Sequence, residues 1–219
     1  MAWTAPPTYT AGAILTAAQM NAISANLYAG GPVYAAYTDL TAAIPSPFEG
    51  QRAYLSAPVS GTVTATGATQ YIPTGINVVY NGTGWVCTTE VGAFTSTGGT
   101  YSTGSWGTTL TGSPGTNPSV TLLTGATALV TLNLQISVST TMTANVDVAI
   151  SGATTRAAGT TASQSLNWAK SSDAGLAQTV THTFIVDGLT AGVNTFTMSY
   201  FTNNTATFTA RRLTAKGIA

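Results

Sequence analysis

Few residues in this sequence could carry out acid–base chemistry. Its 219 residues include one histidine, His182, and six acidic residues. A serine hydrolase would place His182 between a nucleophile and a carboxylate such as Asp147 or Asp187, but no Gly-x-Ser-x-Gly elbow accompanies them. Because His182 lies on the apolar side of an alternating segment, we expect a hydrogen-bonded structural histidine. The same alternation predicts that Asp147 points outward from its strand.

Metal binding and glycan cleavage have equally weak support. The single histidine, the single cysteine (Cys87) and the scattered acids form no cluster with ligand spacing. Glycan cleavage would need two of Asp147, Asp173 and Asp187 to converge in a cleft. A metal shared on a three-fold axis is the alternative, since symmetry would triple each ligand. We expect no enzymatic activity and no cofactor, and we expect Cys87 to be a small buried apolar residue.

Three aromatic residues are the best candidates for binding a ligand. Tyr101, Trp106 and Trp168 lie among the glycine, serine, threonine and asparagine residues that are typical of loops. Such rings can stack on sugars by an apolar face. The alternative is that they close the ends of a sandwich.

The only pair of adjacent basic residues is Arg211-Arg212. In an alternating strand these two side chains point to opposite faces. One of them could pair with an acid across a subunit contact. The alternative is a solvated charge that discourages the addition of a further strand.

Charged residues make up only 5% of the chain, and they sum to a net charge of zero. An ordinary soluble domain has about 25%. Binding to nucleic acid or to an anionic membrane requires clustered basic residues, so we expect neither. We also expect no transmembrane helix and no signal peptide. Threonine supplies roughly a fifth of the residues, and this β-branched residue suits the half-wetted surface of a sheet.

Short strands separated by turns dominate residues 93–219. The clearest spans residues 128–138, where apolar residues alternate with mostly polar ones. This period of two is typical of a strand that buries one face. The pattern recurs at 146–150, 180–186 and 194–200 without βαβ alternation. It predicts a mainly β protein with an antiparallel β-sandwich, or jelly roll, as its C-terminal head.

The N-terminal part follows other patterns. Residues 14–28 form the only convincing helix, because Met20, Ile23 and Leu27 recur at helical spacing. Residues 33–92 are typical of a small β element. Within it, Asn81-Gly82 between apolar runs predicts a hairpin over 76–87.

Two further expectations concern this β element. Glycine, threonine and alanine dominate residues 60–69, and this composition predicts a loop. The segment as a whole has too few apolar residues for an independent core.

Three stretches together resemble structural proteins of tailed bacteriophages. Residues 3–27 (WTAPPTY, GAILTAAQMN and NL) resemble the N-terminal segment of tail and appendage proteins. Residues 49–85 (EGQ and VYNGTGW) resemble a linker module of the same proteins. Residues 188–214 (GLTAGVNTFTMSY, TF and RRLT) are similar to the C-terminal β-domain of phage fibre and minor tail proteins.

The resemblance implies a virion component, usually a homotrimer with a jelly-roll head like that of tumour-necrosis-factor-type trimers. Residues 1–30 would attach it to other virion proteins, residues 31–92 would form a neck, and residues 93–219 would form the head. The candidate attachment or oligomerisation residues are the apolar ones of the arm and helix: Trp3, Leu15, Met20, Ile23 and Leu27.

Several alternatives share this architecture. The helix could form a three-chain bundle, pack on its own β-domain, or dock on another virion protein. A trimeric fibre, spike or minor tail protein is the first expectation for function. A capsid decoration or head-fibre protein and an adhesin for host cell-surface glycans are its rivals, and a depolymerase is a third.

Overall fold

The computed structural model describes residues 32–57, 62–138, 140, 142–159, 165–170 and 176–219. The helix predicted over 14–28 therefore lies outside the described residues. So do the five candidate attachment residues, Trp3, Leu15, Met20, Ile23 and Leu27.

Strands dominate the described ranges. In chain order the elements are β1 (Val33–Tyr34), α1 (Tyr37–Ala43), β2 (Arg52–Leu55), β3 (Thr64–Thr66), β4 (Thr69–Tyr71), β5 (Ile76–Tyr80), β6 (Trp85–Cys87), β7 (Val91–Thr95), β8 (Gly99–Tyr101), β9 (Ser119–Thr124), β10 (Thr127–Val138), β11 (Met142–Gly152), β12 (Leu166–Lys170), β13 (Ala177–Val186), β14 (Gly192–Thr202) and β15 (Ala206–Ile218).

Two antiparallel sheets form the sandwich that the sequence predicts. One has the strand order β13-β10-β15-β7-β4, with β8 also paired to β15. The other has the order β12-β11-β14-β9-β3. From β9 onward, successive strands lie in opposite sheets, except that β11 and β12 are neighbours. The predicted mainly β fold and antiparallel β-sandwich are confirmed.

Strand β10 shows why these residues form a sandwich. Its burial alternates at every position, and Leu132, Leu134 and Ile136 are fully buried while the residues between them are partly exposed. Each buried leucine or isoleucine side chain stabilises the fold by about 1.5–3 kcal/mol relative to exposure. The period of two in the sequence is therefore the pattern of burial in the folded chain.

The predicted hairpin is also confirmed. Strands β5 and β6 pair through Tyr80 and Trp85, and they belong to a small sheet of order β1-β2-β5-β6. The Asn81 side-chain oxygen accepts the backbone N–H groups of Thr83 at 3.1 Å and Gly84 at 3.0 Å. Gly82 has φ +88°, a conformation that favours glycine. Turn chemistry thus fixes the pairing of the two strands.

A short helix, α1, lies within the segment that the sequence assigned to β structure. The Asp39 carboxylate accepts the backbone N–H of Ala36 at 3.0 Å, which satisfies a donor at the start of the helix. Leu40 is fully buried. About two turns with a single buried residue are too short to give a helical period in the sequence.

The loop predicted over 60–69 is wrong in part: among its described residues, 64–66 and 69 lie in strands, whereas 62, 63, 67 and 68 lie in turns or bends. Strand β3 pairs with β9, and β4 pairs with β7, so both extend the sandwich at its edges. Val63 and Ala65 are buried among threonines, and two apolar residues are too few to give a strand pattern. The predicted neck over 31–92 therefore shares both sheets with the predicted head, and residue 92 lies inside β7.

The hairpin packs closely against the end of the sandwich. A Cβ atom added at Gly217 of β15 would collide with Val86 of β6, and one added at Gly125 would collide with Asn81. Glycine at these two positions lets the backbones approach. As expected from the sequence, Cys87 is a buried apolar residue in this junction.

Cys87 gives a first testable prediction. Burial raises the pKa of its thiol to about 11, although a backbone hydrogen bond from Thr89 opposes the shift. The thiol itself lies 3.4 Å from the Thr89 carbonyl, to which it can donate. Because the thiolate is the reactive form, we expect the folded protein to react with Ellman's reagent at least roughly a hundredfold more slowly than the chain in guanidinium chloride. Rapid labelling of the folded protein would contradict the buried position.

Candidate functional site

Two of the three aromatic candidates pack against other aromatic rings of the protein and are only partly exposed. Tyr101 is half-buried, donates its hydroxyl to the Ser105 carbonyl at 2.9 Å, and lies 6.3 Å from the Tyr200 ring. Trp106 is half-buried with its ring 5.7 Å from that of Phe201. These contacts match the alternative reading, in which the rings close the sandwich. A glycan contact at either residue stays a prediction.

Trp168 lies in strand β12 and not in the loop that its neighbours indicated. The pairing of β12 with β11 places it opposite Ala144. Its side chain is outside the described part of the structure, as is the whole of Asp173.

Asp147 lies at an outward position of β11, as alternation predicts, but it is only 1% exposed because the chain covers it. Its Oδ1 accepts the Val148 N–H at 2.7 Å, and its Oδ2 accepts the N–H of Gly159. The cause is the segment after β11, which returns along the strand through a bridge between Ile150 and Arg156. Desolvation raises the pKa of the Asp147 carboxyl, while the two backbone hydrogen bonds and the charge of Arg156 oppose the shift.

This raised pKa predicts a pH dependence of stability. A carboxyl whose pKa is higher in the folded than in the unfolded state stabilises the fold fully below the unfolded value of about 4, and loses that contribution as the pH rises through the folded value. We expect the free energy of unfolding to fall over this range in urea titrations. The fall should be absent in Asp147→Asn, and an unchanged slope in that variant would contradict the assignment.

His182 sits on the apolar alternation as predicted. Its ring stacks on Phe184 at a centroid distance of 5.0 Å. The hydrogen bond expected for His182 is not found: the buried Nε2 of its ring has no hydrogen-bond partner among the described residues. Within the same described ranges, no group of three His, Cys, Asp or Glu side chains could hold a metal ion.

The two arginines point to opposite faces, as alternation predicts. Arg212 is exposed, with its guanidinium 5.3 Å from the centre of the Phe94 ring. Arg211 is fully buried between the sheets. The interior arginine is unexpected in a chain with so few charges, and it is the centre of the most unusual site in the described structure.

Neutral oxygen atoms surround the Arg211 guanidinium. Its Nη1 donates to Asn117 Oδ1 at 3.2 Å and to the Tyr200 hydroxyl at 3.0 Å. Its Nη2 donates to the Thr97 carbonyl at 3.4 Å and to the carbonyl of Pro114. The Tyr200 hydroxyl donates in turn to Asn117 Oδ1 at 2.7 Å. This network joins β14, β15 and the segment between β8 and β9.

Tyr200 remains a neutral phenol in this network. Burial raises the pKa of its hydroxyl to about 12, and the neighbouring Arg211 opposes that shift. The buried cation is therefore not neutralised by a tyrosinate at ordinary pH.

A bulge in β15 turns Arg211 inward. The pairing of β15 with β10 shifts register between Asn133 and Gln135, and Ala210 has φ +46°. This left-handed conformation is strained for a residue other than glycine. Without the extra residue, the alternation from buried Phe208 would place Arg212 inside instead.

A small pocket lies over Arg211. Its volume is about 190 Å³. The segment beside it contains left-handed residues, Ser113 at φ +61° and Gly112 and Gly115 at φ +84° and +69°. The residues that line the pocket include Thr108, Thr109, Leu110, Gly115, Asn117 and Arg211.

A second groove of about 420 Å³ lies on the outer face of the six-stranded sheet. Tyr71 of edge strand β4 is 62% exposed and pairs with Gly92, where an added Cβ atom would collide with the Thr214 methyl group. Glu90 and Arg212 also line the groove. Sequence reasoning missed Tyr71, because three exposed residues in a short edge strand give no strand pattern.

Comparison with protein-family models gives no match to this chain, and a search of curated proteins finds no significant relative. Among the helices of the described residues, none has the length and apolarity needed to cross a bilayer.

Proposed function

We propose that this chain is a structural component of a bacteriophage particle: a homotrimeric fibre, spike or minor tail protein displayed on the virion surface. Residues 1–30 would attach it to other virion proteins, and the sandwich would face outward. The three sequence stretches that resemble phage tail and fibre proteins support this assignment. The role is assembly and display, without catalysis or a cofactor.

The observation that carries the proposal is a nested strand pairing, from which we infer a jelly roll. Strand β7 pairs with β15, β9 with β14, β10 with β13, and β11 with β12. These pairs fit one long antiparallel ribbon folded over into two sheets, as the paired Greek keys of a jelly roll require. A jelly roll is also the fold that the resemblance implies for the head, so this inference supports the proposal.

The polar faces of the sheets suit a particle subunit. Hydroxyl groups pair across strands: Thr131 with Thr183 at 3.0 Å, and Thr121 with Thr195 at 2.8 Å. Each hydroxyl in such a pair has a hydrogen-bond partner within the sheet. A neighbouring subunit can therefore cover these faces without the free-energy cost of desolvating charges. Ile185 is 49% exposed on the six-stranded sheet, two residues after Thr183 in β13. It adds apolar surface to the face that carries the Thr131–Thr183 pair.

Light scattering on the full chain and on residues 31–219 tests the trimer. We expect both to have three times the mass of one chain, which is 22.1 kDa for the full chain. A trimer only with residues 1–30 would assign trimerisation to the N-terminal segment. Monomers in both cases would contradict a self-assembling head.

Immunogold labelling tests the location. Antibodies to the sandwich should label purified particles of a phage that encodes this sequence. Label on the tail would support a fibre or minor tail protein, and label on the head would support the capsid-decoration alternative. Purified particles that lack the protein would contradict the proposal.

The groove beside Tyr71 favours a second candidate, a glycan-binding adhesin. An exposed ring next to hydroxyl, carboxylate and guanidinium groups is a suitable surface for sugar stacking and hydrogen bonding. On a glycan array, Tyr71→Ala should weaken binding by roughly two- to tenfold, since such stacking contributes ~0.5–1.5 kcal/mol. Phe48→Ala is the matched control, because Phe48 is 68% exposed elsewhere. Equal binding by both variants would argue against the groove.

A further inference from the structure

We propose that the pocket over Arg211 binds a small oxyanion. The first reason is the uncompensated charge. Arg211 is fully buried, its four hydrogen bonds all go to neutral oxygen atoms, and its Nε has no partner among the described residues. Arginine keeps its charge in proteins. A buried charge is costly unless a counter-charge lies nearby, and an anion in the adjoining pocket would supply it.

The lining of the pocket suits an oxyanion. The hydroxyl groups of Thr108 and Thr109 are donors that can turn toward a bound group. Leu110 and Pro114 add apolar surface, and no carboxylate of the described residues lines the pocket. The charge of Arg211 disfavours a metal cation, and the volume of about 190 Å³ has room for a carboxylate or a phosphate.

Backbone strain is concentrated around the same charge. Ala210 precedes Arg211 with φ +46°, and Ser113 beside the pocket has φ +61°. Two residues other than glycine in the left-handed region, on two different segments, both help to place one guanidinium. Strain of this kind persists where the surrounding structure holds a functional group in place. The strained backbone therefore holds the Arg211 guanidinium at the base of the pocket, and this strain lowers the stability of the fold.

Two sources could supply the oxyanion: a free anion such as phosphate or acetate, or a side-chain carboxylate of a second copy of this chain. The chemistry of recognition is the same in both cases, and it does not depend on the proposed virion role. A monomeric protein that is absent from particles could still bind phosphate here.

Thermal unfolding of the full chain tests the free anion, with inorganic phosphate and acetate as separate probes. We expect the Tm to rise with the logarithm of the anion concentration above the Kd, with a rise of roughly 3–6 °C at ten times the Kd. Arg211→Met should abolish this rise. Arg212→Met is the matched control, because it removes an exposed charge from the neighbouring position and should keep the rise.

Thr109→Phe keeps the proposal testable if Arg211→Met does not fold. Thr109 is exposed at the pocket, and a ring there would occupy the pocket while leaving Arg211 and its hydrogen bonds in place. We expect Thr109→Phe to be folded and to lose the rise in Tm with phosphate and acetate.

Light scattering on the same variants distinguishes the second source. If a carboxylate of a second copy fills the pocket, phosphate should give no rise in Tm, and Arg211→Met and Thr109→Phe should lose oligomer mass while Arg212→Met retains it. The proposal is overturned if all variants share the same salt response and the same oligomer mass, since the effects would then be those of ionic strength alone.

Discussion

Replacing Arg211 by methionine is expected to lower the free energy of unfolding by about 3–5 kcal/mol, because the four hydrogen bonds of the guanidinium are lost. Two of the acceptors keep another donor: Asn117 Oδ1 keeps the Tyr200 hydroxyl, and the Pro114 carbonyl keeps the Thr97 hydroxyl. The loss is therefore that of the guanidinium's own hydrogen bonds, each worth about 1.5–3 kcal/mol for a charged donor. Removing the guanidinium also removes the free-energy cost of burying its charge. This gain offsets only part of the free energy lost with the hydrogen bonds.

Urea denaturation at a fixed anion concentration measures the effect. Arg212→Met should stay within about 0.5 kcal/mol of the unaltered protein, as surface substitutions usually do. Tyr200→Phe removes one member of the network, and the double variant with Arg211→Met should be less destabilised than the sum of the single ones. A stable Arg211→Met protein would show that the network is dispensable to the fold.

The sequence predicts the sandwich strands but not the position of Arg211. Alternation in β10 is regular over its whole length, so the buried face could be read directly. In β15 the bulge at Ala210 reverses the alternation, and no residue type in the sequence marks it. The positive φ of Ala210 is set by the pairing of β15 with β10 and by the hydrogen bonds around the Arg211 guanidinium. Both are long-range contacts.

Long-range contacts also explain why Asp147 is buried and why part of residues 60–69 forms strands. Asp147 occupies an outward position of β11, yet a later segment of the chain covers it. Strands β3 and β4 are three residues each, and their partners β9 and β7 come later in the chain. Local pattern gives the direction of a side chain, while distant segments decide whether solvent reaches it. Tyr71 was missed for this reason too.

A fragment of residues 93–219 should fail to fold, although the sequence assigns the whole head to it. It lacks β3 and β4 and the first two residues of β7, so the edges of β7 and β9 would be unpaired. Exposed edges of this kind promote aggregation. The large side chains that would be lost from the hydrophobic core include Leu55, Val63, Ile76, Val78, Trp85 and Val86.

The size of the effect follows from that burial. At about 1.5–3 kcal/mol for each buried side chain, the six account for roughly 9–18 kcal/mol, which is as large as the 5–15 kcal/mol by which a typical domain is stable. Circular dichroism and thermal unfolding should show no cooperative transition for residues 93–219, and light scattering should show aggregates. Residues 32–219, which retain every described strand, should unfold cooperatively. If residues 93–219 alone did so as well, the hairpin and edge strands would be an accessory layer, and the boundary at residue 92 would be a true domain boundary.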